Sequence, residues 1–336
     1  MSGLKTIAVM MGGVSPEHDV SLSSGAGVLA ALSPDKYQGL PVTIGKDGLW
    51  SVGDRPPCSA FDAVGALRAA DCVFIALHGP FGEDGRIQGF LDTLGLPYTG
   101  SGCAASALAM DKVRCKAVVS GQGIRVANHI ALDRDTWEAD PEAILDAVRR
   151  DVGYPCVVKA ARGGSSLGTS VPADADAFRR AMHEALQHDS SVLVETRIVG
   201  REVTCGVLDA VPGGLLRSLP ITEIIPRDPG TFWTYDAKYT AGATEEVTPA
   251  NLTPALTSQI MDMAAHVHEI VGCRGWSRSD FIIDGQGPVW LEVNTVPGLT
   301  PTSLYPQAAA AAGISYSDMV SMFIERALLG AAAGEK

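Results

Sequence analysis

The strongest constraint on the fold of this chain is the alternation of short apolar strands with helical segments in its first hundred residues. The strands are predicted at 6–11, 37–44 and 72–77, and the helices at 21–32 and 61–70. The first strand ends in Gly12-Gly13, which predicts a tight loop. This alternation predicts a parallel α/β layer for residues 1–102. Glu17 and His78 follow two of these strands, so their loops are expected to face a ligand crevice.

Two further blocks follow the N-terminal layer. Residues 103–190 are predicted to form a small α+β unit whose first helix is capped by Ser101, and residues 191–336 a unit made mostly of strands. Helices are predicted at 104–122, 173–187, 254–271, 308–312 and 316–329, and strands at 154–160, 192–195, 202–208, 215–222, 276–283 and 289–294. The stretch 226–249 has no clear period, and a loop that long in a compact domain is more often a functional lid than a linker.

The composition excludes several classes of protein. Lys and Arg number 26 and Asp and Glu number 38, which gives a net charge of −12, and no Lys/Arg run forms a basic patch. A nucleic-acid partner is therefore not expected. The apolar run near the start is far shorter than the ~18 residues of a membrane span, so we expect no membrane partner and a cytoplasmic chain. The 7 cysteines form no C-x-x-C pair and are expected to be buried free thiols.

The densest polar pattern lies on two strands, WSRSDFII and VWLEVNT, which flank the turn Asp284-Gly285-Gln286-Gly287. The side-chain period of two places four polar residues on one sheet face: Arg278, Asp280, Glu292 and Asn294. Leu291 and Val293 are expected to point into the core. Asp, Glu and Asn oxygens suit Mg²⁺ completed by water and phosphate oxygens. The alternative is a solvated sheet face with ordinary ion pairs.

Two loops offer sites for an anion. Lys159 precedes the glycine-rich turn Arg162–Gly168, where backbone N–H groups freed by glycine can cradle phosphates. This turn is neither a Walker loop nor a dinucleotide fingerprint, so a polar surface hairpin remains the alternative. The loop that carries Glu17 joins a strand to a helix and favours an anion, or an ammonium held by Glu17 itself. No histidine has a partner at metal-ligand spacing, so a zinc site is not expected.

Taken together, these segments resemble the D-alanine–D-alanine ligase family of the ATP-grasp superfamily. The resemblance spans nearly the whole chain and is carried by GGVSPEHDVSL, HGPFGEDG, GSGCAASALAMDK, VVKAARGGSSLG, VGREVTCGV, YDAKY, RGWSRSDF and LEVNTVPGLTPTSL. It implies joining of two D-alanines at the expense of ATP, through an acyl phosphate, in peptidoglycan precursor synthesis. The expected fold is α/β and α+β, in a three-domain ATP-grasp architecture with an N-terminal parallel-sheet α/β domain.

The resemblance also implies how the ligands are divided among the domains. Residues 1–102 would bind the amino acids, residues 103–190 would form the central subdomain with a glycine-rich flap, and residues 191–336 would carry the lid loop and the magnesium site. Two Mg²⁺ ions, with Mn²⁺ as the substitute, would be held by Asp280, Glu292 and Asn294. The nucleotide would be contacted by Lys112, Lys159, Ser166, Gly168, Glu195, Ile198, Glu202 and Lys238.

The amino-acid contacts follow from the same resemblance. Glu17 would take the ammonium of the first D-alanine, supported by the loop that carries His78. Ser165 and Tyr239 would be hydrogen-bonded partners of Glu17 that lock the lid 226–249 over the site. Such closure excludes the water that otherwise hydrolyses an acyl phosphate.

The second half of the amino-acid site is implied to lie near the C-terminus of the chain. Arg278 and the backbone N–H of Gly298 would stabilise the oxyanion, a contribution that typically amounts to ~2.7–4 kcal/mol per donor. Ser303 and Leu304 would receive the carboxylate of the second D-alanine. Family habit also suggests a homodimer.

Three positions depart from the family pattern, namely Ala160, Gly163 and Trp233. The first two bear on ATP affinity rather than on the class of reaction. Tyr239 favours an amine as the second nucleophile, since depsipeptide-forming members often lack it. The alternatives left open are a ligase with D-serine, D-lactate or another D-amino acid as the second substrate, and a non-catalytic ATP-binding module. A nicotinamide dehydrogenase is disfavoured because G-x-G-x-x-G is missing.

Overall fold

The computed structural model describes residues 3–164, 168–227 and 244–334. Within that part of the chain, helices α1 to α11 are His18–Ala31, Ala60–Leu67, Arg86–Leu94, Cys103–Met110, Lys112–Gly121, Arg134–Ala139, Pro141–Asp151, Ala175–His188, Pro254–Val271, Leu304–Ala311 and Tyr316–Ala332. Strands β1 to β13 are Lys5–Gly12, Tyr37–Ile44, Trp50–Val52, Cys72–Ile75, His129–Asp133, Cys156–Ala160, Ser191–Thr196, Arg201–Leu208, Arg217–Ser218, Thr222–Pro226, Thr244–Val247, Trp276–Asp284 and Gly287–Asn294. Five residues discussed above lie outside the described residues: Ser165, Ser166, Trp233, Lys238 and Tyr239.

The N-terminal sheet has the strand order β3-β2-β1-β4. Strand β1 pairs in parallel with β2 and with β4, as predicted. The edge strand β3 is antiparallel to β2, so the sheet is not wholly parallel. Ile7 to Met10 are fully buried because helices cover both faces of β1. One face packs on α1 and α11, and the other packs on α2 and α3.

The central sheet is small and antiparallel, with the order β5-β7-β6. Helices α7 and α8 cover it, and their Val148 and Phe178 are fully buried against the strands. Its middle strand, β7, begins at Ser191, so the sheet extends past the expected boundary at residue 190. Glu195 therefore belongs to the central sheet.

The C-terminal sheet is antiparallel and has the order β11-β10-β8-β12-β13, with β9 paired to β8. Helices α5 and α9 pack on it, and Val119 and Ile260 lie in this core. The prediction of a single helix over 104–122 is wrong, because the helix is interrupted at Asp111, between α4 and α5. The Asp111 side chain accepts a hydrogen bond from the Arg114 N–H and caps the second helix, α5. Lys112 thus stands at the first turn of a new helix beside the C-terminal sheet.

Three other local predictions are corrected by the structure. Ser101 does not cap α4, because Gly102 holds the cap position and the Ser101 hydroxyl accepts from the Arg274 N–H instead. The unpatterned stretch 226–249 overlaps two paired strands, because β10 ends at Pro226 and β11 spans Thr244–Val247, while residues 228–243 of the predicted lid lie outside the described residues. The expectation that the cysteines are buried holds for four of the seven, since Cys103 is exposed and Cys58 and Cys273 are partly exposed, and all seven are free thiols as predicted.

A stack of aromatic rings joins the first and last parts of the chain. Trp276 at the start of β12 stacks on Phe323 of α11, with ring centroids 3.9 Å apart. Phe74 of β4 packs against both rings. This shared core fixes the N-terminal sheet relative to the C-terminal sheet. No described helix is both long enough and apolar enough to cross a membrane.

Candidate active site

A cavity of about 770 Å³ is lined by the central and C-terminal sheets, by α1 and by the loops that follow β1 and β4. The predicted site residues that line it are Glu17, His78, Lys112, Lys159, Glu195, Ile198, Glu202, Arg278, Asp280, Glu292, Asn294, Gly298, Ser303 and Leu304. Gly168 is described but packs against His188, outside the lining of this cavity. The structure therefore brings together almost every described residue that the sequence singled out.

Asp280 is the centre of the polar face on the two long strands. Its Oδ1 accepts from Arg278 Nε and from the Thr204 hydroxyl, both at 2.8 Å. Its Oδ2 accepts from the Arg278 guanidinium at 2.8 Å and from Asn294 Nδ2 at 3.2 Å. The Asp280 side chain is 13% exposed and borders the cavity, so this is not a solvated sheet face. Burial lowers the pKa of Arg278, but the charge and hydrogen bonds of Asp280 outweigh it, so the pKa is raised.

A β-bulge shapes the strand that faces Asp280. Asp280 pairs with Glu292 whereas Phe281 pairs with Trp290, which leaves Leu291 as the extra residue. The predicted orientation of Leu291 into the core is therefore wrong. It lines the cavity, while Trp290 is fully buried. The bulge turns Glu292 onto the same side of the sheet as Asp280.

The donor set on this face suits a hard divalent cation. Asn294 gives its Nδ2 to Asp280, which leaves the amide oxygen as an acceptor beside the two carboxylates. Among the residues that the structure describes, no three His, Cys, Asp or Glu side chains form a metal-binding group. An ion here would therefore depend on Asp280, Glu292 and Asn294 together with oxygen atoms of a bound ligand.

Glu195 on β7 lies between two lysines. Its Oε2 is 2.8 Å from the Lys159 ammonium, and its Oε1 is 2.9 Å from that of Lys116. Burial raises the pKa of Glu195, but the two ammonium groups lower it to about 2. Burial lowers the pKa of Lys159, and the charges of Glu195 and Glu292 raise it above its ordinary value. Glu195 and Lys159 are thus both ionised at neutral pH.

Lys112 fastens the glycine-rich turn to the start of α5. Its ammonium donates to the Gly163 carbonyl at 2.7 Å, and its backbone N–H donates to the Ala161 carbonyl. Lys112 and Lys159 both line the cavity, so two ammonium groups face it from the turn's side. The part of the cavity next to the glycine-rich turn therefore favours a negatively charged ligand.

Glu17 is the N-cap residue of α1 and is 7% exposed. A Cβ atom on Gly79 would lie 2.4 Å from its Oε2, and one on Gly164 would lie 2.7 Å from the same atom. Only glycine permits both backbones to approach this carboxylate so closely. The loop after β4 and the glycine-rich turn therefore meet at Glu17.

His78 is a neutral imidazole held from both sides. Its Nδ1 is 3.2 Å from the Val296 carbonyl and therefore carries the proton, whereas its Nε2 lies 2.9 Å from the Ser24 hydroxyl and accepts from it. Burial lowers the pKa of His78, against a smaller opposing effect of the Glu17 charge. The histidine thus orders the loop next to Glu17 without adding charge.

Glu83 lines the same cavity and was not singled out from the sequence. Its Oε1 accepts from the Gly79 N–H at 2.7 Å. Burial, followed by the nearby charge of Glu17, raises the pKa of Glu83 to about 8. At neutral pH this carboxyl group is therefore mostly protonated.

The loop after β13 forms the far wall of the cavity. A Cβ atom on Gly298 would lie 2.8 Å from the Ser303 hydroxyl, so the glycine allows this serine to pack against the backbone. The hydroxyl is also 2.7 Å from that of Thr300. Ser303 holds the N-cap position of α10, and Leu304 is the first residue of that helix.

Lys116, which is 1% exposed, is the second residue of this region that the sequence patterns did not single out. It follows Lys112 by four residues on one helix, and residues spaced in this way share a helix face. That spacing is the signal that could have found it. Glu83 offered no comparable signal, because its burial depends on how its loop folds.

Two family profiles and a curated relative match most of the chain. The profile described as the D-ala D-ala ligase C-terminus matches residues 118–325, and the one described as the D-ala D-ala ligase N-terminus matches residues 6–64 and 57–101. The D-alanine–D-alanine ligase of Halalkalibacterium halodurans is 39% identical over 324 residues, which is 96% of this chain and 99% of that protein. This chain belongs to the D-alanine–D-alanine ligase family.

Solved structures of the ligase family share the fold along nearly the whole chain. The ATP complex of the D-alanine–D-alanine ligase from Bacillus anthracis superposes with a TM-score of 0.79 and 30% identity, covering 98% of this chain and 99% of that one. The VanG D-Ala:D-Ser ligase from Enterococcus faecalis superposes with a TM-score of 0.84 and 30% identity, covering 97% and 100%. The predicted ATP-grasp α/β architecture is thereby confirmed.

Proposed function

We propose that this chain is an ATP-dependent ligase that joins two D-alanine molecules into D-alanyl-D-alanine. Membership of the ligase family supports this reaction. The observation that supports this reaction most directly is a single cavity lined by the carboxylates and amide of the C-terminal sheet, by positively charged lysine and arginine side chains, and by the buried Glu17. Since a module that only binds ATP has no need of Arg278 or Glu17, the complete set favours a catalytic protein.

The chemistry requires activation of a carboxylate, which resists attack by an amine. An oxygen of the first D-alanine carboxylate attacks the γ-phosphorus of ATP, which forms an acyl phosphate and breaks the bond to ADP. The amine of the second D-alanine then attacks the acyl carbon, phosphate leaves with the bonding electron pair, and the amine loses its proton. Positioning and charge stabilisation dominate catalysis of such steps.

The nucleotide is proposed to lie between the central and C-terminal sheets. Lys112 and Lys159 would bind phosphate oxygens, while Glu195, Ile198 and Glu202 would contact the adenosine part. Two Mg²⁺ ions held by Asp280, Glu292 and Asn294 would neutralise phosphate charge when bound. The donor set described above supports this assignment.

The amino acids are proposed to lie on the other side of the cavity. Glu17 would hold the ammonium of the first D-alanine, while the neutral His78 keeps its loop in place. Arg278 and the Gly298 N–H would stabilise the oxyanion that develops on the acyl carbon. Ser303 and Leu304 would receive the second substrate. If that substrate were D-serine, its hydroxyl would lie next to the aliphatic side chain of Leu304.

The second substrate is assigned from the curated relatives named D-alanine–D-alanine ligases rather than from the fold, because a D-Ala:D-Ser ligase superposes as well as a D-alanine–D-alanine ligase does. D-Serine, D-lactate or another D-amino acid is the alternative. We propose that the protein is a homodimer that works in the cytoplasm, in peptidoglycan precursor synthesis.

The test is ADP release by the purified protein with ATP and Mg²⁺, with products identified by mass spectrometry. The substrates compared are D-alanine alone, D-alanine with D-serine or with D-lactate, and L-alanine. We expect D-alanyl-D-alanine from D-alanine alone and no turnover of L-alanine. Product only from a mixed pair would refute the second-substrate assignment, and ATP binding without any ADP release would refute the ligase proposal.

A further inference from the structure

Lys116 is a fully buried lysine outside the lining of the cavity. Its side chain is 1% exposed, and lysine is almost never buried to that degree unless it is paired. It lies on α5, whose packing against the C-terminal sheet removes it from solvent. Lys116 can therefore act only through the groups that it contacts.

The first of these groups is Glu195. Each oxygen of this carboxylate faces one ammonium group: Oε1 faces Lys116 and Oε2 faces Lys159. The three side chains together carry one net positive charge. Because Lys116 shares the negative charge of Glu195, the charge of Lys159 is only partly neutralised on the side that borders the cavity.

The second group lies on the opposite sheet. The Lys116 ammonium is 3.4 Å from the Leu291 carbonyl and 5.3 Å from the centre of the Trp290 ring. Leu291 is the bulged residue that precedes Glu292. One ammonium group thus links the central sheet to the strand that carries a proposed metal ligand.

We propose that Lys116 is a positioning residue that offsets the charge of Glu195 and thereby leaves Lys159 able to attract a polyanionic nucleotide. This inference rests on the proposed function only in that it assigns a nucleotide to the cavity. A buried pair of Lys159 and Glu195 without Lys116 would be neutral and would attract an anion less. The neutral part of a nucleotide would gain little from Lys116.

The test compares a charged probe with a neutral probe. Affinities for ADP and for adenosine are measured by calorimetry at fixed salt on the full chain, and their ratio is the readout. Lys116→Met is expected to lower this ratio about tenfold, a ~1.4 kcal/mol effect, whereas Lys116→Arg keeps most of it. Lys36→Met removes an exposed ion pair with Glu325 and is the matched control, with an unchanged ratio expected. An unchanged ratio in folded Lys116→Met would overturn the proposal.

A second pair of variants covers the case in which Lys116→Met does not fold. Glu195→Gln leaves two positive charges and no carboxylate, and adding Lys116→Met returns the net charge to one. Because no carboxylate is then left for Lys116 to offset, the proposal expects the ADP-to-adenosine ratio to differ by less than about twofold between these two variants, and a tenfold fall on removal of Lys116 would contradict it.

These measurements separate the inference from the proposed ligase reaction. Wild-type protein that binds ADP but forms no dipeptide refutes the reaction and leaves the role of Lys116 standing if the ratio falls. Wild-type protein that binds no ADP refutes both.

Discussion

Arg278 donates two parallel hydrogen bonds, each of 2.8 Å, to Asp280, although the two residues are only two positions apart on the same strand. A bidentate pair of this kind fixes both orientation and charge. The guanidinium is thereby held beside the acidic face rather than across the cavity. Arg278 and Asp280 act as one unit, so a change in either should disturb the other.

Replacement of Asp280 by Asn should abolish most of the ligase activity. The amide keeps the shape of the side chain but removes the negative charge that a divalent cation requires, so we expect turnover to fall about 10²-fold or more. Coupled measurement of ADP release checks this, with thermal unfolding as the test of folding. Asp151→Asn, which changes an exposed carboxylate paired with Arg150, is the control. Near-normal turnover in Asp280→Asn would remove Asp280 from the proposed metal site.

Replacement of Glu83 by Gln should change how stability depends on pH. Because the folded protein raises the pKa of Glu83 to about 8 from an ordinary value near 4.5, it binds this proton more tightly than the unfolded chain does. That contribution is complete below about pH 4.5 and is lost as the pH rises through about 8. Gln cannot ionise, so the variant should gain melting temperature relative to wild type between pH 5 and ~9. Melting curves that run parallel across this range would contradict the assignment.

Replacement of Arg326 by Met should destabilise the fold. Arg326 donates to Asp209 at 2.8 Å, and both side chains are less than a tenth exposed. Loss of one partner of a buried pair leaves the other uncompensated, at a cost of about 3–5 kcal/mol. Denaturant unfolding measures this, and the double variant with Asp209→Asn should recover part of the loss. A double variant no more stable than the single one would show that the charge left behind is not the cause.

Replacement of Gly200 by Ala should disturb the turn between Glu195 and Glu202. A Cβ atom there would lie 2.1 Å from the Ile283 carbonyl oxygen, so strand β12 or the turn must move. We expect lower stability and weaker nucleotide binding, measured by thermal unfolding and calorimetry. Gly65→Ala is the opposite control, because it lies in α2 with open space around it and should stabilise the helix by roughly 0.5–1 kcal/mol. Equal effects of the two substitutions would show that the close approach at Gly200 does not matter.

Local sequence patterns correctly predicted the helices and strands whose hydrophobic pattern matches the way in which they are buried. Strand β2 and helix α9 have the predicted bounds, 37–44 and 254–271. The helix break at Asp111 was missed because the apolar pattern continues across it, whereas the break depends on a side-chain cap. The same limit applies to β3, whose antiparallel edge pairing depends on a turn rather than on its own three residues.

The candidate site was predictable where alternation within a strand decided which side chains share a face, as for Arg278 and Asp280. The prediction failed at Leu291, because a β-bulge shifts the alternation by one residue and no side-chain pattern indicates the bulge. Lys116 and Glu83 were missed for a different reason. Charged side chains in a helix or loop look solvent-exposed in a sequence, and only packing between distant segments buries them.

The stack of Trp276 on Phe323 has a consequence for a chain growing from the ribosome. Strands β1 and β4 are made early, but α11, which packs beside α1 on the face of their sheet that carries Phe74, is made more than 200 residues later. The first hundred residues therefore emerge as a layer with one apolar face covered by α1 alone, and the rest of that face stays open until residues 316–332 have been made. Domains generally fold in the order in which they are made, whereas this layer needs a much later segment of the chain for its completion.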